Sequence, residues 1–209
     1  MRKTVVLGAG GHAKAVIAIL KADPDCELVG CVDHNPKTVG SDVRVIGDDA
    51  ILPGLYRRGI RHAFVAVGDN RKREELARRA EGIGFTLISA VSPAAYIADS
   101  VRLAGGVAVM PGAVLNADVR VGSNAIVNSG AIVDHDGAVG ALCHIAPGCT
   151  LSGRVAVGDG AFLGTGTIVI DNIRIGSWSM LGAGSVVVND IPDRCLAMGF
   201  PARFVRDWP

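Results

Sequence analysis

His135 stands between Asp134 and Asp136, and His144 follows in the next stretch of chain. An imidazole beside a carboxylate is a general-base pair: the carboxylate fixes the ring and favours the imidazolium formed when a proton is taken. Either aspartate is close enough in sequence to be the partner. A second candidate opens the chain. Gly8-Ala9-Gly10-Gly11-His12-Ala13 fits Gly-x-Gly-x-x-Ala, a loop that turns tightly and presents backbone N–H groups to an anionic ligand at a helix N-terminus. Asp33 falls about 20 positions on, where an acid can accept from ribose hydroxyls. His12 reads as a phosphate contact or a helix cap, Lys14 as a solvated helix residue, and His34 and His62 as ordinary turn and strand residues.

The elements that must carry these groups differ between the two halves. From Val91 through Ile97, Leu103 and Val109 to Val187, every sixth residue is aliphatic without a miss. A helix repeats near 3.6 and a strand near 2, so a period of six points to a hexapeptide β-helix. The position four after each anchor is small or β-branched, Ala113, Ala125, Cys143 and Cys149 among them, and reads as core filler. Gly often follows the anchor directly, as at Gly122, Gly140 and Gly158, and is read as backbone freedom at the corners. With three hexads to a coil, residue n lies beside n+18. Gly153 then lies beside His135 and can leave an N–H open as an oxyanion donor. His144 is expected at a corner of the following hexad.

Before this array, Thr4–Leu7, Glu27–Val32, Arg61–Val67 and Phe85–Ser89 read as strands, with helices over Ala13–Leu20 and Asn70–Ala80. Residues 1–88 are therefore a small Rossmann-like α/β domain with about four parallel strands, and 89–209 the β-helix domain with a C-terminal tail. So few strands favour a mononucleotide diphosphate over NAD. The loop Asp33-His34-Asn35-Pro36 does not choose between UDP, dTDP and GDP.

A formal charge of +1 argues against a nucleic-acid or membrane-surface partner driven by bulk charge. No apolar run is long enough to span a bilayer. Five cysteines without paired spacing, and no cleavage-site pattern after Met1, fit a reduced cytoplasmic protein. No metal is expected: a zinc site on such an array needs three histidines, and the array holds two.

The opening glycine loop, Gly68-Asp69-Asn70, the Asn128–Asp136 segment, His144-Ile145-Ala146-Pro147-Gly148 and Gly199-Phe200-Pro201-Ala202 together resemble the hexapeptide-repeat sugar O- and N-acetyltransferases. The likeness spans nearly the whole chain. That family is typified by the UDP-4-amino-sugar N-acetyltransferase of bacillosamine synthesis and the sialic acid O-acetyltransferases. It implies a left-handed helix, a homotrimer, acetyl-CoA as co-substrate, and the amine of a nucleotide-linked 4-amino-4,6-dideoxy sugar as acceptor, a sugar hydroxyl being the alternative. His135 would be the base, steadied by Asp136, where the bacillosamine enzyme has Glu. Gly153 would face the thioester oxygen, His144 the acetyl region, and Asn128 would lie nearby. Gly8, Gly10, Gly11, His12, Asp33, Gly68 and Asn70 would hold the nucleotide sugar. Gly164, Thr165, Gly182 and Ala183 would line the pantetheine arm, with Pro201 and Arg203 near the adenosine.

Overall fold

The computed structural model describes residues 1–35 and 43–209; Pro36, the end of the loop after Asp33, lies outside them. The chain divides into two compact units, Met1–Pro93 and Ala94–Pro209.

In the first unit, strands β1 (Arg2–Leu7), β2 (Cys26–Val32), β3 (Val45–Gly47), β4 (His62–Val65) and β5 (Thr86–Leu87) form a parallel sheet in the order β3-β2-β1-β4-β5. Helix α1 (Gly11–Ala22) buries Ala13, Val16, Ile17 and Leu20, an i, i+3, i+4, i+7 stripe that packs one face of a helix inward. Helix α2 (Leu52–Arg57) has Pro53 in its first turn, where proline is tolerated. Helix α3 (Asn70–Ile83) is capped by Asp69, whose carboxylate accepts from the Lys72 N–H at 2.7 Å, and ends at Gly84 with φ 111°. Sequence reading gave four strands and two helices. The additions, β3 and α2, are three and six residues long, too short to show a period.

The second unit is a stack of two-residue rungs on three faces. The first face runs from Tyr96–Ile97 to Val186–Val187, the second from Arg102–Leu103 to Arg174–Ile175. The third includes Ala108–Val109, Ile126–Val127, His144–Ile145, Phe162–Leu163 and Met180–Leu181. Rungs pair in parallel at n+18, as in Val114 with Ile132 and Ile126 with His144. The anchors Val109, Leu115, Val127, Val133, Ile145 and Leu151 are all sealed inside, with Ala113, Ala125, Ala131, Cys143 and Cys149 filling between them. Each buried Val or Leu contributes about 1.5–3 kcal/mol, gained only by stacking. Past Leu181 the coil shortens, Met180 pairing with Leu196, and the third face closes on an antiparallel hairpin of Cys195–Gly199 with Ala202–Asp207.

The corners correct the sequence reading. Every sixth residue from Gly106 to Gly184 has positive φ, including Asp118, Asn124, Asp136, Leu142, Arg154, Asn172 and Trp178. This position lies three after the anchor, not one. The glycines directly after the anchors serve close approach instead. A Cβ on Gly140 would stand 2.5 Å from Asp159 Oδ1, and one on Gly158 would stand 2.6 Å from Ser177 Oγ in the next coil.

Candidate active site

His135 and Asp136 follow the Ile132–Val133 rung, at the corner between the first and second faces. Asp136 is the left-handed corner residue, φ 59°, a conformation that Asp tolerates. That turn points its carboxylate back, so Oδ2 lies 2.9 Å from His135 Nδ1. Asp134 looks elsewhere: its Oδ1 accepts from the His135 backbone N–H at 2.7 Å and from Asn116 Nδ2 at 2.8 Å. These two bonds hold its carboxyl below the usual range, the His135 N–H first. Of the two flanking acids, then, Asp136 is the ring's partner. The imidazole is 48% exposed at this edge rather than sealed in the prism.

Gly153 lies one coil on. A Cβ there would meet His135 Nε2 at 2.5 Å and Cε1 at 2.6 Å, so the ring rests on bare backbone. Among the described residues the Gly153 N–H donates to no protein acceptor, while Arg154 N–H is taken by the His135 carbonyl at 2.9 Å.

His144 is not at a corner. It begins a rung of the third face, paired with Ile126 and Phe162, and is buried. The expectation failed because a hexad boundary counted from the anchor does not mark the turn. Its Nε2 lies 3.0 Å from Asn128 Nδ2, and Phe162 meets its ring edge-on at 4.9 Å between centroids. Asn128 Oδ1 accepts from the Ser129 N–H at 2.8 Å, so the amide nitrogen faces the histidine and donates to Nε2. The His144 proton then sits on Nδ1. No hydrogen bond or ring contact joins His135 to His144 among the described residues; they occupy different sides of the prism.

Asn128 ends its rung at the corner between the third and first faces. Rung pairing places Gly164 and Gly182 two and three coils further along the same corner, with Thr165 and Ala183 exposed beside them. Gly164 packs under the Ala183 N–H and the Leu181 carbonyl, and Gly182 under Met198 Cβ. Pro201, after a cis bond from Phe200, and Arg203 are exposed on the closing hairpin. Cys143 and Cys149 are wholly buried, and burial pushes the Cys149 thiol up, so neither offers a reachable thiolate.

In the first unit Gly8, φ +104°, is required: a Cβ would meet Val67 Cγ2 at 2.9 Å and Ala66 O at 3.0 Å. Gly10 and Gly11 face open space, and no side chain caps α1. Asp33 reaches across from β2, Oδ2 taking the Ala9 N–H at 2.7 Å and Oδ1 the Asn35 N–H at 2.8 Å. Asn70 is buried, and its Oδ1 accepts from Arg73 Nη2 at 2.8 Å. Arg73 also donates to the carbonyls of Val67 and Gly68, each at 3.0 Å. Burial, then the Arg73 guanidinium, lowers His12 to about 4, so it is neutral at physiological pH.

The PglD N-terminal domain family matches residues 3–80. A histidine-to-asparagine variant of perosamine N-acetyltransferase from Caulobacter crescentus, in complex with CoA and GDP-perosamine, is 47% identical, with 98% of this chain and 97% of that one covered and a TM-score of 0.95. The acetyltransferase domain of PglB from Neisseria gonorrhoeae, in complex with acetyl coenzyme A, is 35% identical over 98% of this chain and 99% of that one, TM-score 0.90. The chain belongs to the hexapeptide-repeat sugar acetyltransferases. Its β-helix is accordingly the left-handed kind. WeeI from Acinetobacter baumannii, 23% identical over 97% of this chain and 99% of that one at a TM-score of 0.87, shares the fold. No match was found among the curated proteins.

For a sugar acetyltransferase of this family, sequence reasoning missed two groups. Arg73, 1% exposed, shares its helix with Arg71, Lys72, Arg78 and Arg79, and nothing in the sequence sets it apart from them. Asp49 is buried at the start of a 3₁₀ turn after β3, its Oδ2 3.2 Å from Arg79 Nη1. Its signal was the repeated acid of Gly47-Asp48-Asp49, of which only Asp48 was needed as a cap.

Proposed function

We propose that this protein transfers the acetyl group of acetyl-CoA to the amine of a nucleotide-linked 4-amino-4,6-dideoxy sugar. The observation that carries the reading is the His135–Asp136 pair laid over bare Gly153 backbone at an exposed edge. The relative that binds CoA and GDP-perosamine at 47% identity supports an amino-sugar acceptor.

In this mechanism the amine attacks the thioester carbonyl directly and forms the C–N bond; collapse of the tetrahedral intermediate breaks the C–S bond and releases CoA, whose sulfur takes the proton from the imidazolium. His135 Nε2 takes the proton from the attacking nitrogen, and Asp136 stabilises the imidazolium through Nδ1–H. The Gly153 N–H donates a hydrogen bond to the developing oxyanion. Asn128 and His144 hold the acetyl end. The exposed corner of Thr165 and Ala183 carries the pantetheine arm toward Pro201 and Arg203. The glycine loop and the uncapped N-terminus of α1 hold the diphosphate, and the neutral His12 adds a hydrogen bond rather than a charge.

We infer a homotrimer. The outward residues of the first face are Tyr96, Val114, Ile132, Thr150, Ile168 and Val186, in register from rung to rung. Tyr96 is 60% and Ile168 45% exposed. This apolar strip lies between the His135 corner and the Asn128 corner. Packing it on a second copy brings one chain's base to the other's thioester site, which a single chain keeps apart. Five free cysteines and a cytosolic co-substrate support the cytoplasm as its place.

The test is incubation with acetyl-CoA and nucleotide-linked 4-amino sugars. An acetylated product stable to hydroxylamine is expected. A hydroxylamine-labile ester would replace the amine with a hydroxyl acceptor, and no transfer to any such sugar would overturn the reading.

A further inference from the structure

The order of the sheet in the first unit reverses between β1 and β4, and in open α/β sheets ligands enter outside the carboxyl ends of the strands at that point. A cleft of about 200 Å³ opens there. Its apolar lining is Val32, Val67 and Leu76, from β2, the end of β4 and α3. Its polar lining is Asp33, His34, Asp49 and Lys72. Flat aliphatic walls with a few polar groups suit a planar base.

We propose that Asp49 selects guanine as the base of the nucleotide. This rests on the reading of the first unit as the holder of a nucleotide-linked sugar, and adds which nucleotide. Asp33 spends both carboxylate oxygens on backbone N–H groups, of Ala9 and Asn35, and so positions the glycine loop. Asp49 differs. Its side chain is 9% exposed, Arg79 holds Oδ2, and Oδ1 takes no donor from the described residues. A carboxylate oxygen left open to the rim of a base-sized cleft, on a side chain otherwise enclosed, calls for an N–H donor. Guanine presents two side by side, N1–H and the 2-amino group. Uracil and thymine flank one N–H with two carbonyl oxygens, which a fixed carboxylate repels. Lys72 also lines the cleft, its Nζ 3.0 Å from Glu75 Oε2, and keeps further N–H donors for O6.

The experiment is calorimetric titration of the full chain with GDP, IDP, XDP, UDP and dTDP. IDP lacks the 2-amino group and XDP carries a carbonyl oxygen in its place. Wild-type protein should bind GDP at least about tenfold more tightly than IDP or the pyrimidine nucleotides, the effect of one charge-assisted hydrogen bond. In Asp49→Asn the amide oxygen keeps Arg79 and the amide nitrogen faces the base, so XDP should outbind GDP. A purely structural role for Asp49 would weaken every nucleotide alike and leave the order unchanged. Equal wild-type affinity for GDP and IDP overturns the proposal without any variant. Preference for UDP or dTDP overturns it while the acetyltransferase reading stands. Binding of none of the five, with no sugar acetylated, removes both.

Discussion

At the scale of single residues, the site depends on how little stands between His135 and the coil beneath it. Gly153→Ala places a methyl within 2.6 Å of the ring and must push the imidazole off its seat. The ring is exposed and free to move, so the fold should survive while turnover falls about 10²-fold, as for an ångström of misplacement. Circular dichroism beside a CoA-release assay checks both halves. Asp136→Asn keeps the left-handed corner, which Asn also accepts, but removes the charge that steadies the imidazolium. Turnover should fall roughly 10–10³-fold with the KM for acetyl-CoA unchanged. Asp134→Asn, whose acid serves backbone and Asn116, should cost far less. His12 gives a stability prediction. Its proton affinity is lower in the folded state, about 4 against 6.5, so the unfolded chain binds the extra proton. Stability from this group is complete above pH 6.5 and is lost as pH falls toward 4, by roughly 2–3 kcal/mol. Denaturant melts at pH 7 and 5 should show that loss in the wild type and less of it in His12→Gln.

At the scale of elements, the six-residue ribbon was legible because one inward aliphatic per rung is a requirement no neighbour can relax. The coil offset followed from it, and with it the nearness of His135 and Gly153. What a linear pattern does not reveal is which residue bends. Gly after an anchor and a bulky residue three later look like a corner and a flat stretch, yet Leu142 and Trp178 take the left-handed turn while Gly140 and Gly158 admit the next coil. Gly158→Ala should therefore destabilise by overpacking, about 1–3 kcal/mol, whereas Gly148→Asn, at a true corner with open space, should be nearly neutral. Thermal melts of the two variants test the assignment. In the first unit the glycine loop and α1 were readable from spacing. β3 and α2 were not, because packing rather than propensity forms them. Arg73 was missed for a related reason: its sequence neighbours are solvated cations, and only the fold turns it inward against three carbonyl and amide oxygens.

At the scale of the molecule, one chain holds the His135–Asp136 pair on one corner and the Asn128–His144 pair on another, with an apolar strip between. That arrangement predicts shared sites. His135→Ala and Asn128→Ala proteins, each inactive alone, should regain activity when denatured together and refolded as a mixture, because some interfaces then carry two intact partners. Mixtures that stay inactive while forming mixed trimers would contradict a site built across the strip.

Central to the proposed mechanism is His135 as the group that takes the proton from the acceptor. The most direct measurement is single-turnover acetyl transfer by His135→Ala, with CoA and nucleotide-sugar binding verified by calorimetry. The expected result is binding within a few-fold of wild type and transfer slower by about 10²–10⁴-fold. Transfer at the wild-type rate in a folded, substrate-bound variant would contradict it.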